Sequence, residues 1–150
     1  MENVKYLYIV DVFSIEEKTI EDYEKKAKIE SIIHNRKIST EDIRDKFCFS
    51  KCDHYNFCID EVLYSDTLEY ANEFLEKNVC DVYEYCYNYA VIIKVPLNAA
   101  YPSTYVEELH LYKFNNEKFG YEKISKENID EKMYEAITSR FNYIEGLRKA

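Results

Sequence analysis

The hydrophobic residues at the start of the chain alternate with polar ones, which predicts a β-strand. The apolar residues of one face are Val4, Tyr6, Tyr8, Val10 and Val12. The opposite face mixes Leu7, Ile9 and Phe13 with the charged residues Lys5 and Asp11. Because a strand with apolar side chains on both faces needs cover on both, this strand is predicted to lie inside a sheet.

Helix-capping residues followed by apolar residues at helical spacing predict two helices after this strand. Ser14 or Thr19 begins the first helix, which is predicted to end near His34. Ser39 or Thr40, followed by two acidic residues, begins a short second helix. An irregular segment then leads into a strand over residues 57–63.

The middle of the chain predicts a third helix followed by sheet. Ser65 or Thr67 caps this helix, which ends near Asn78. Residues 79–97 then alternate as in a sheet, either as one long strand or as a hairpin that turns near Asn88. Residues 98–104 are predicted to form a connecting loop, since Pro102 disfavours helix in the residue before it.

The last third of the chain predicts a hairpin and a helix. Strands over residues 108–114 and 119–124 are joined by a polar turn. Ser125 is then predicted to begin the longest helix of the chain. Its apolar stripe consists of Ile129, Met133, Ala136, Ile137, Phe141, Ile144 and Leu147.

These elements predict a single α+β domain over residues 1–150, with an antiparallel-rich mixed sheet, about four covering helices and a long C-terminal helix. A doubly wound nucleotide-binding fold is disfavoured because its phosphate loop needs glycines at a strand-to-helix turn. The chain has only two glycines, Gly120 and Gly146, and neither lies at such a turn.

Four tyrosines at every second position, Tyr83, Tyr85, Tyr87 and Tyr89, predict a tyrosine ladder on one sheet face. The ladder has two interpretations. Its rings lie in the core with their hydroxyls at the rim, or they form a contact surface. For the second interpretation, the predicted partner-binding residues are Asp81, Tyr83, Glu84, Tyr85, Tyr101 and Tyr105.

The formal net charge of −9 disfavours direct binding to nucleic acid or to an anionic membrane, both of which attract clustered lysine and arginine. The N-terminus has no signal-peptide pattern, and no apolar run approaches the length that spans a bilayer. Five cysteines, an odd number, are typical of reduced thiols. The expected location is therefore cytoplasmic.

Cys48, Cys52, His54 and Cys58 form the one cluster with metal-ligand chemistry, because thiolate and imidazole groups bind zinc. Their spacing lacks the paired knuckles of common zinc sites, so no metal and no cofactor are predicted. A zinc-stabilised structural module stays open as an alternative. So does a small enzyme or ligand-binding domain that places a cysteine beside His54 or His110.

Acidity, richness in tyrosine and the absence of a catalytic motif favour a non-catalytic protein-binding module. The predicted partner is a larger basic protein or a nucleic-acid-associated complex, which the module inhibits or regulates. Size and composition are also typical of phage or mobile-element proteins that antagonise host defence, although this is an analogy and not a motif. A homo-oligomer is compatible with the sequence.

Overall fold

The computed structural model describes residues 5–46, 54–79, 87–97 and 106–144. Its helices and strands alternate irregularly along the chain, with three strands close together near the end. The elements are β1 (Tyr6–Glu17), α1 (Ile20–His34), α2 (Thr40–Lys46), β2 (Tyr55–Ser65), α3 (Leu68–Glu76), β3 (Tyr89–Pro96), β4 (Glu108–Asn115), β5 (Gly120–Lys123) and α4 (Glu131–Arg140).

The strands form one five-stranded sheet in the order β2-β1-β3-β4-β5, and every neighbouring pair is antiparallel. The predicted α+β fold with an antiparallel sheet is therefore confirmed. β1 lies between β2 and β3, as its two apolar faces predicted. It is the longest strand, and its side chains reach the cores on both sides of the sheet.

The sheet separates two hydrophobic cores, each closed by one helix. Val10 and Val12 of β1 point to the core that contains Ala71, Phe74 and Leu75 of α3. Ile9, Phe13 and Ile15 point to the other core. Ala136, Ile137 and Phe141, at or just after α4, fill that second core, where the Phe141 ring lies 5.4 Å from the ring of Phe13.

α1 and α2 pack on each other and form a third, smaller core. Tyr23 and Ala27 of α1 are buried with Ile38 and Ile43. Of the two caps predicted for α1, Ser14 lies in β1 and Thr19 is confirmed as the cap. The Thr19 hydroxyl accepts a hydrogen bond from the Asp22 backbone N–H, and the Asp22 carboxylate accepts one from the Thr19 N–H. The helix ends at His34, also as predicted.

The prediction that the longest helix begins at Ser125 is wrong. A single 3-10 turn over Lys126–Asn128 follows Ser125, and Asp130 caps α4, which ends at Arg140. The helix ends there because Asn142 adopts a left-handed conformation, and the next amide, that of Tyr143, donates back to the Thr138 carbonyl. α4 has 10 residues and α1 has 15.

Five residues of the predicted stripe, Ile129, Met133, Ala136, Ile137 and Phe141, do pack in the core beside α4. Ile144 is exposed, and Leu147 lies outside the described residues. The stripe therefore located the buried face of α4 correctly, although it overestimated the length of the helix.

Two buried tyrosines on the side of the sheet that faces α3 differ in whether their hydroxyls have a hydrogen-bond partner. The Tyr121 hydroxyl donates to the Tyr87 carbonyl at 2.9 Å. The Tyr112 hydroxyl is buried without a hydrogen-bond partner in the described part of the chain, and burial together with the charge of Glu76 raises the pKa of Tyr112 to about 12.

We expect these two hydroxyls to make contributions of opposite sign to stability. Tyr112→Phe removes an unsatisfied polar atom and should raise the free energy of unfolding by about 1 kcal/mol. Tyr121→Phe should lower it by about 1 kcal/mol, because the Tyr87 carbonyl loses its donor. Urea unfolding of both variants tests this pair. A loss of stability in Tyr112→Phe would mean that its hydroxyl has a partner.

Candidate protein-binding surface

The partner-binding residues predicted from the sequence, namely Asp81, Tyr83, Glu84, Tyr85, Tyr101 and Tyr105, lie outside the described residues. Their role stays a prediction. Two members of the tyrosine ladder, Tyr87 and Tyr89, are described. These two residues show how the end of the ladder is arranged where β3 begins.

The prediction that Tyr87 and Tyr89 share a sheet face is wrong. Tyr87 packs in the core below α3, whereas Tyr89 stacks on Phe13 in the core below α4, with ring centroids 5.7 Å apart. The reason is that β3 begins at Tyr89, so Tyr87 precedes the regular alternation of the strand. From Tyr89 onward the predicted alternation holds, since Val91, Ile93 and Val95 lie in the same core.

The ring of Tyr87 is buried, and its hydroxyl reaches the edge strand β2. The hydroxyl donates to the Asp60 carboxylate and lies 3.8 Å from the sulfur of Cys58. The hydrogen bond to Asp60 and the contact with Cys58 raise the pKa of Tyr87. At this position the core interpretation of the ladder, with the hydroxyl at the rim, is confirmed.

The cysteine and histidine cluster is described only in part. Cys48 and Cys52 lie outside the described residues. His54 precedes β2, where its Nδ1 lies 3.1 Å from the Tyr23 hydroxyl, and Cys58 contacts Tyr87. Within residues 5–46, 54–79, 87–97 and 106–144, no three histidine, cysteine or acidic residues are grouped so as to hold a metal ion.

His54 also lines a pocket of about 300 Å³ with Glu17, Tyr55, Lys132 and Glu135. No cysteine is among the described residues that line it.

His110 occupies a hydrogen-bonded position in the sheet. Its Nε2 lies 2.9 Å from the Glu108 carboxylate, and its Nδ1 lies 3.1 Å from the Lys123 ammonium. The ammonium can only donate, so Nδ1 accepts and Nε2 carries the proton that is donated to Glu108. Both ring nitrogens of His110 are thus engaged by charged neighbours.

The net negative charge of the protein lies mostly in the middle of the chain, because basic residues are scarce there. Residues 52–93 contain nine acidic residues and one basic residue, Lys77. The described part of this stretch includes β2, α3 and the start of β3. Counting charge by segment would have found this feature in the sequence, whereas the total of −9 conceals it.

α3 presents three of these acidic residues on one face. Its side chains repeat every 3.6 residues, so Glu69, Glu73 and Glu76 lie on the side opposite the buried Ala71 and Leu75. All three glutamates are exposed. Thr67 fixes the start of the helix by accepting a hydrogen bond from the Tyr70 amide.

Tyr70 adds an aromatic ring to this acidic surface. It lies between Glu69 and Glu73 in sequence, and 56% of its surface is exposed. Lys77 forms a hydrogen-bonded ion pair with Glu73, and the hydrogen bond raises the pKa of Lys77. We call Glu69, Tyr70, Glu73 and Glu76 the α3 face.

The chain was compared with protein-family models, curated proteins and solved structures. None of them matches. None of the described helices has the length and apolar character that crossing a membrane requires. The function of this chain is therefore inferred from its own residues.

The structure shows three features that the sequence did not lead us to predict. One is the α3 face. Another is an isoleucine surface on α1, formed by Ile29, Ile32 and Ile33, which the spacing of these residues could have revealed. The third is the burial of Asp11, an acidic residue between apolar neighbours on an interior strand.

Proposed function

We propose that the protein is a non-catalytic binding module that attaches to a basic surface of a larger protein partner and thereby inhibits or regulates it. The observation that carries this proposal is the α3 face, where three exposed glutamates accompany an exposed tyrosine. Carboxylates attract a basic surface at long range, and the ring supplies apolar contact area at short range.

The attachment of α3 to the core supports this role. Ala71, Phe74 and Leu75 are buried against the sheet, so the helix is held by the same core that stabilises the fold. Side chains on such a support lose less conformational freedom on binding than side chains on a free loop. The predicted residues Asp81 and Glu84 follow α3 in sequence and would add negative charge to the same segment.

The proposed mode of action is occupation of a basic groove that serves another ligand of the partner. In a nucleic-acid-processing or host-defence complex, that ligand would be a phosphate backbone, and the glutamates of the α3 face would compete for the same lysine and arginine side chains. Electrostatic steering would make association fast at low salt and slower at high salt.

Charge reversal on the α3 face should weaken partner binding. We expect Glu69→Lys/Glu73→Lys to raise the Kd for the partner by about tenfold or more, because two attractive charges become repulsive. The partner is first captured from host lysate with the tagged wild-type chain at low and high salt, and identified by mass spectrometry. The Kd of the purified partner for the double variant is then compared with its Kd for the wild type.

Glu117→Lys/Glu131→Lys is the matched control, because it changes the net charge equally at two exposed positions outside the α3 face. It should leave the Kd nearly unchanged. Equal weakening by both double variants would show that overall charge, and not the α3 face, drives binding. Turnover of a substrate by the pure protein would contradict the non-catalytic role.

A further inference from the structure

Asp11 is a buried carboxylic acid that the described fold leaves unsatisfied. Only 7% of its surface is exposed, and its Oδ1 accepts no hydrogen bond from the residues that the structure describes. Its neighbours on the same side of the sheet are apolar, namely Ile9, Phe13 and Val91. A buried carboxylate without a partner destabilises a fold, so native proteins keep one where an ion, a ligand or a reaction requires it.

A second carboxylate lies next to Asp11 because of a β-bulge. Val10 pairs with Leu63 and Asp11 pairs with Glu61, so Val62 is an extra residue between the two pairs. Bulges redirect side chains and are frequent at sheet edges and beside functional sites. This bulge brings Glu61, an exposed residue of the edge strand β2, opposite the buried acid.

Tyr64 adds an aromatic ring at the same place. It lies on β2 opposite Ile9, and 60% of its surface is exposed. A hydrogen bond with Glu61 raises the pKa of Tyr64, so the phenol and this carboxylate are in contact. We call Asp11, Glu61 and Tyr64 the Asp11 site. The site lies on the side of the sheet that faces α4, and its exposed residues are Glu61 and Tyr64.

The Asp11 site has more negative than positive charge. Among the described residues, Arg140 at the end of α4 is the one cation that acts on Asp11. It lowers the pKa of Asp11, whereas burial and, to a smaller extent, Glu61 raise that pKa to about 7. The Arg140 side chain is exposed and does not donate to Asp11 Oδ1. Two ionised carboxylates therefore face one internal cation.

We propose that the Asp11 site binds an arginine side chain of a protein partner, with the guanidinium between the two carboxylates and against the Tyr64 ring. A guanidinium has five N–H donors in one plane, forms paired hydrogen bonds with carboxylates and stacks on aromatic rings. These are the groups that the site offers. Only the protein origin of the arginine rests on the proposed function.

The number and type of ligands favour a guanidinium over other cations. Calcium takes roughly six to eight oxygen ligands, and in the part of the chain that the structure describes no three acidic, histidine or cysteine side chains are grouped to hold a metal ion. A lysine ammonium is compact and strongly hydrated, so it loses more hydration energy beside a buried carboxylate than a guanidinium does.

Binding of the guanidinium should be coupled to the proton on Asp11. The cation favours the ionised carboxylate, which is a minor form below the pKa of about 7. The affinity should therefore be about tenfold lower at about pH 6 than at about pH 8. Glu61, Tyr64 and Arg140 are the charged and titratable groups that face the site from the described elements.

An NMR titration of the full chain with N-acetylarginine amide tests this inference. N-acetylcitrulline amide is the matched control, because citrulline has a similar shape and no charge. The arginine amide should shift the carboxyl resonance of Asp11 and lower its pKa, whereas the citrulline amide should change neither. A pKa of Asp11 that is the same with and without saturating arginine amide would overturn the inference.

Variants locate the binding. Asp11→Asn should raise the Kd for N-acetylarginine amide by about tenfold or more, because the ionised acceptor is lost. Glu131→Gln removes an exposed charge outside the site and should leave the Kd nearly unchanged. Equal weakening by both variants would show general attraction to an acidic protein. Arg140→Gln should lower the Kd, since the competing cation is removed, and a rise would contradict a cationic ligand.

Three further outcomes would overturn the inference. N-acetyllysine amide that binds as tightly as the arginine amide would mean that the site recognises charge alone. Free arginine that binds more tightly than its amide would indicate a small-molecule ligand and not a protein side chain. A rise in the pKa of Asp11 in Arg148→Gln/Lys149→Gln, without any ligand, would identify the cation as part of this chain.

The Asp11 site and the α3 face can be tested independently. Val10 and Val12 of β1 point to α3, whereas Asp11 points to the opposite side of the sheet. Glu69→Lys/Glu73→Lys should therefore bind N-acetylarginine amide with the Kd of the wild type. If charge reversal on the α3 face leaves partner binding unchanged, the proposed function fails while binding of the arginine amide at Asp11 persists.

Discussion

Replacing Asp11 by asparagine is expected to stabilise the protein at neutral and alkaline pH. Asp11 lies on β1 between Ile9 and Phe13, only 7% of its surface is exposed, and its Oδ1 has no hydrogen-bond partner in the described part of the chain. Burial, and to a smaller extent the charge of Glu61, raise the pKa of Asp11 from 3.8 to about 7 against the opposing effect of Arg140.

The direction of the pH effect follows from this raised pKa. The folded protein holds a proton on Asp11 that the unfolded chain releases near pH 3.8. The contribution of Asp11 to the free energy of unfolding should therefore be greatest below pH 3.8, decrease as the pH rises towards 7, and be lower by about 4 kcal/mol above pH 7. The amide of an asparagine side chain does not titrate, so Asp11→Asn removes this loss.

The measurement is the difference in unfolding free energy between Asp11→Asn and the wild type as a function of pH, which cancels the titration of all other groups. The difference should be constant in acid and increase by about 4 kcal/mol between acid and pH 8. Glu61→Gln should move the fall in stability to lower pH, because Glu61 opposes Asp11 across the β1–β2 pair. A difference that does not change with pH would mean that Asp11 titrates normally.

The location of Asp11 shows what sequence patterns can and cannot predict. Apolar residues on both faces of the first strand correctly predicted an interior position, which implies burial for every residue near its centre. The alternation alone did not show which charged groups lie near the Asp11 carboxylate. Its environment depends on Glu61 and Arg140, which reach it only through the β1–β2 register and the packing of α4.

Local signals located some helix starts and missed others. Thr19 and Thr67, each one of two predicted candidates, cap helices, because a cap uses side chains a few residues apart. The predicted start at Ser125 is wrong, since Asp130 caps α4. The end of α4 depends on the left-handed conformation of Asn142, which no apolar stripe encodes. Tyr87 and Tyr89 diverge because the pairing of β3 with β1 ends at Tyr89, and pairing is a long-range property.

For the candidate binding surface, the general character of the residues could be predicted and their location could not. Acidity and tyrosine richness pointed to a contact surface, and the α3 face has both properties. The choice of Tyr70 and its neighbouring glutamates needed the orientation of α3 on the sheet. The outward direction of Ile29, Ile32 and Ile33 likewise depends on which side of α1 packs on α2.

Gly120→Ala is expected to be among the most destabilising single methyl additions in the described chain. Gly120 begins β5 directly below the end of α3, and a Cβ at this position would lie 2.1 Å from the Glu76 carbonyl oxygen. The Glu76 carbonyl carbon would be 3.0 Å away. Both atoms belong to the helix backbone, so no side-chain rotation can relieve the contact.

The methyl group can therefore be accommodated only if α3 moves away from β5. That movement would open the core formed by Phe74, Leu75 and Tyr121. We expect Gly120→Ala to lower the free energy of unfolding by about 3 kcal/mol or more, the upper range of overpacking effects. Hydrogen exchange should show the largest loss of protection in α3 and β5.

Glu122→Ala is the control on the same strand. It removes only exposed hydrogen bonds to Asn115 and Lys118, and should leave the free energy of unfolding nearly unchanged. A cost for Gly120→Ala as small as that of Glu122→Ala would mean that α3 does not rest on β5 at Gly120. Because the same helix carries the α3 face, the Gly120→Ala variant should also bind the proposed partner more weakly, in proportion to the displacement of α3.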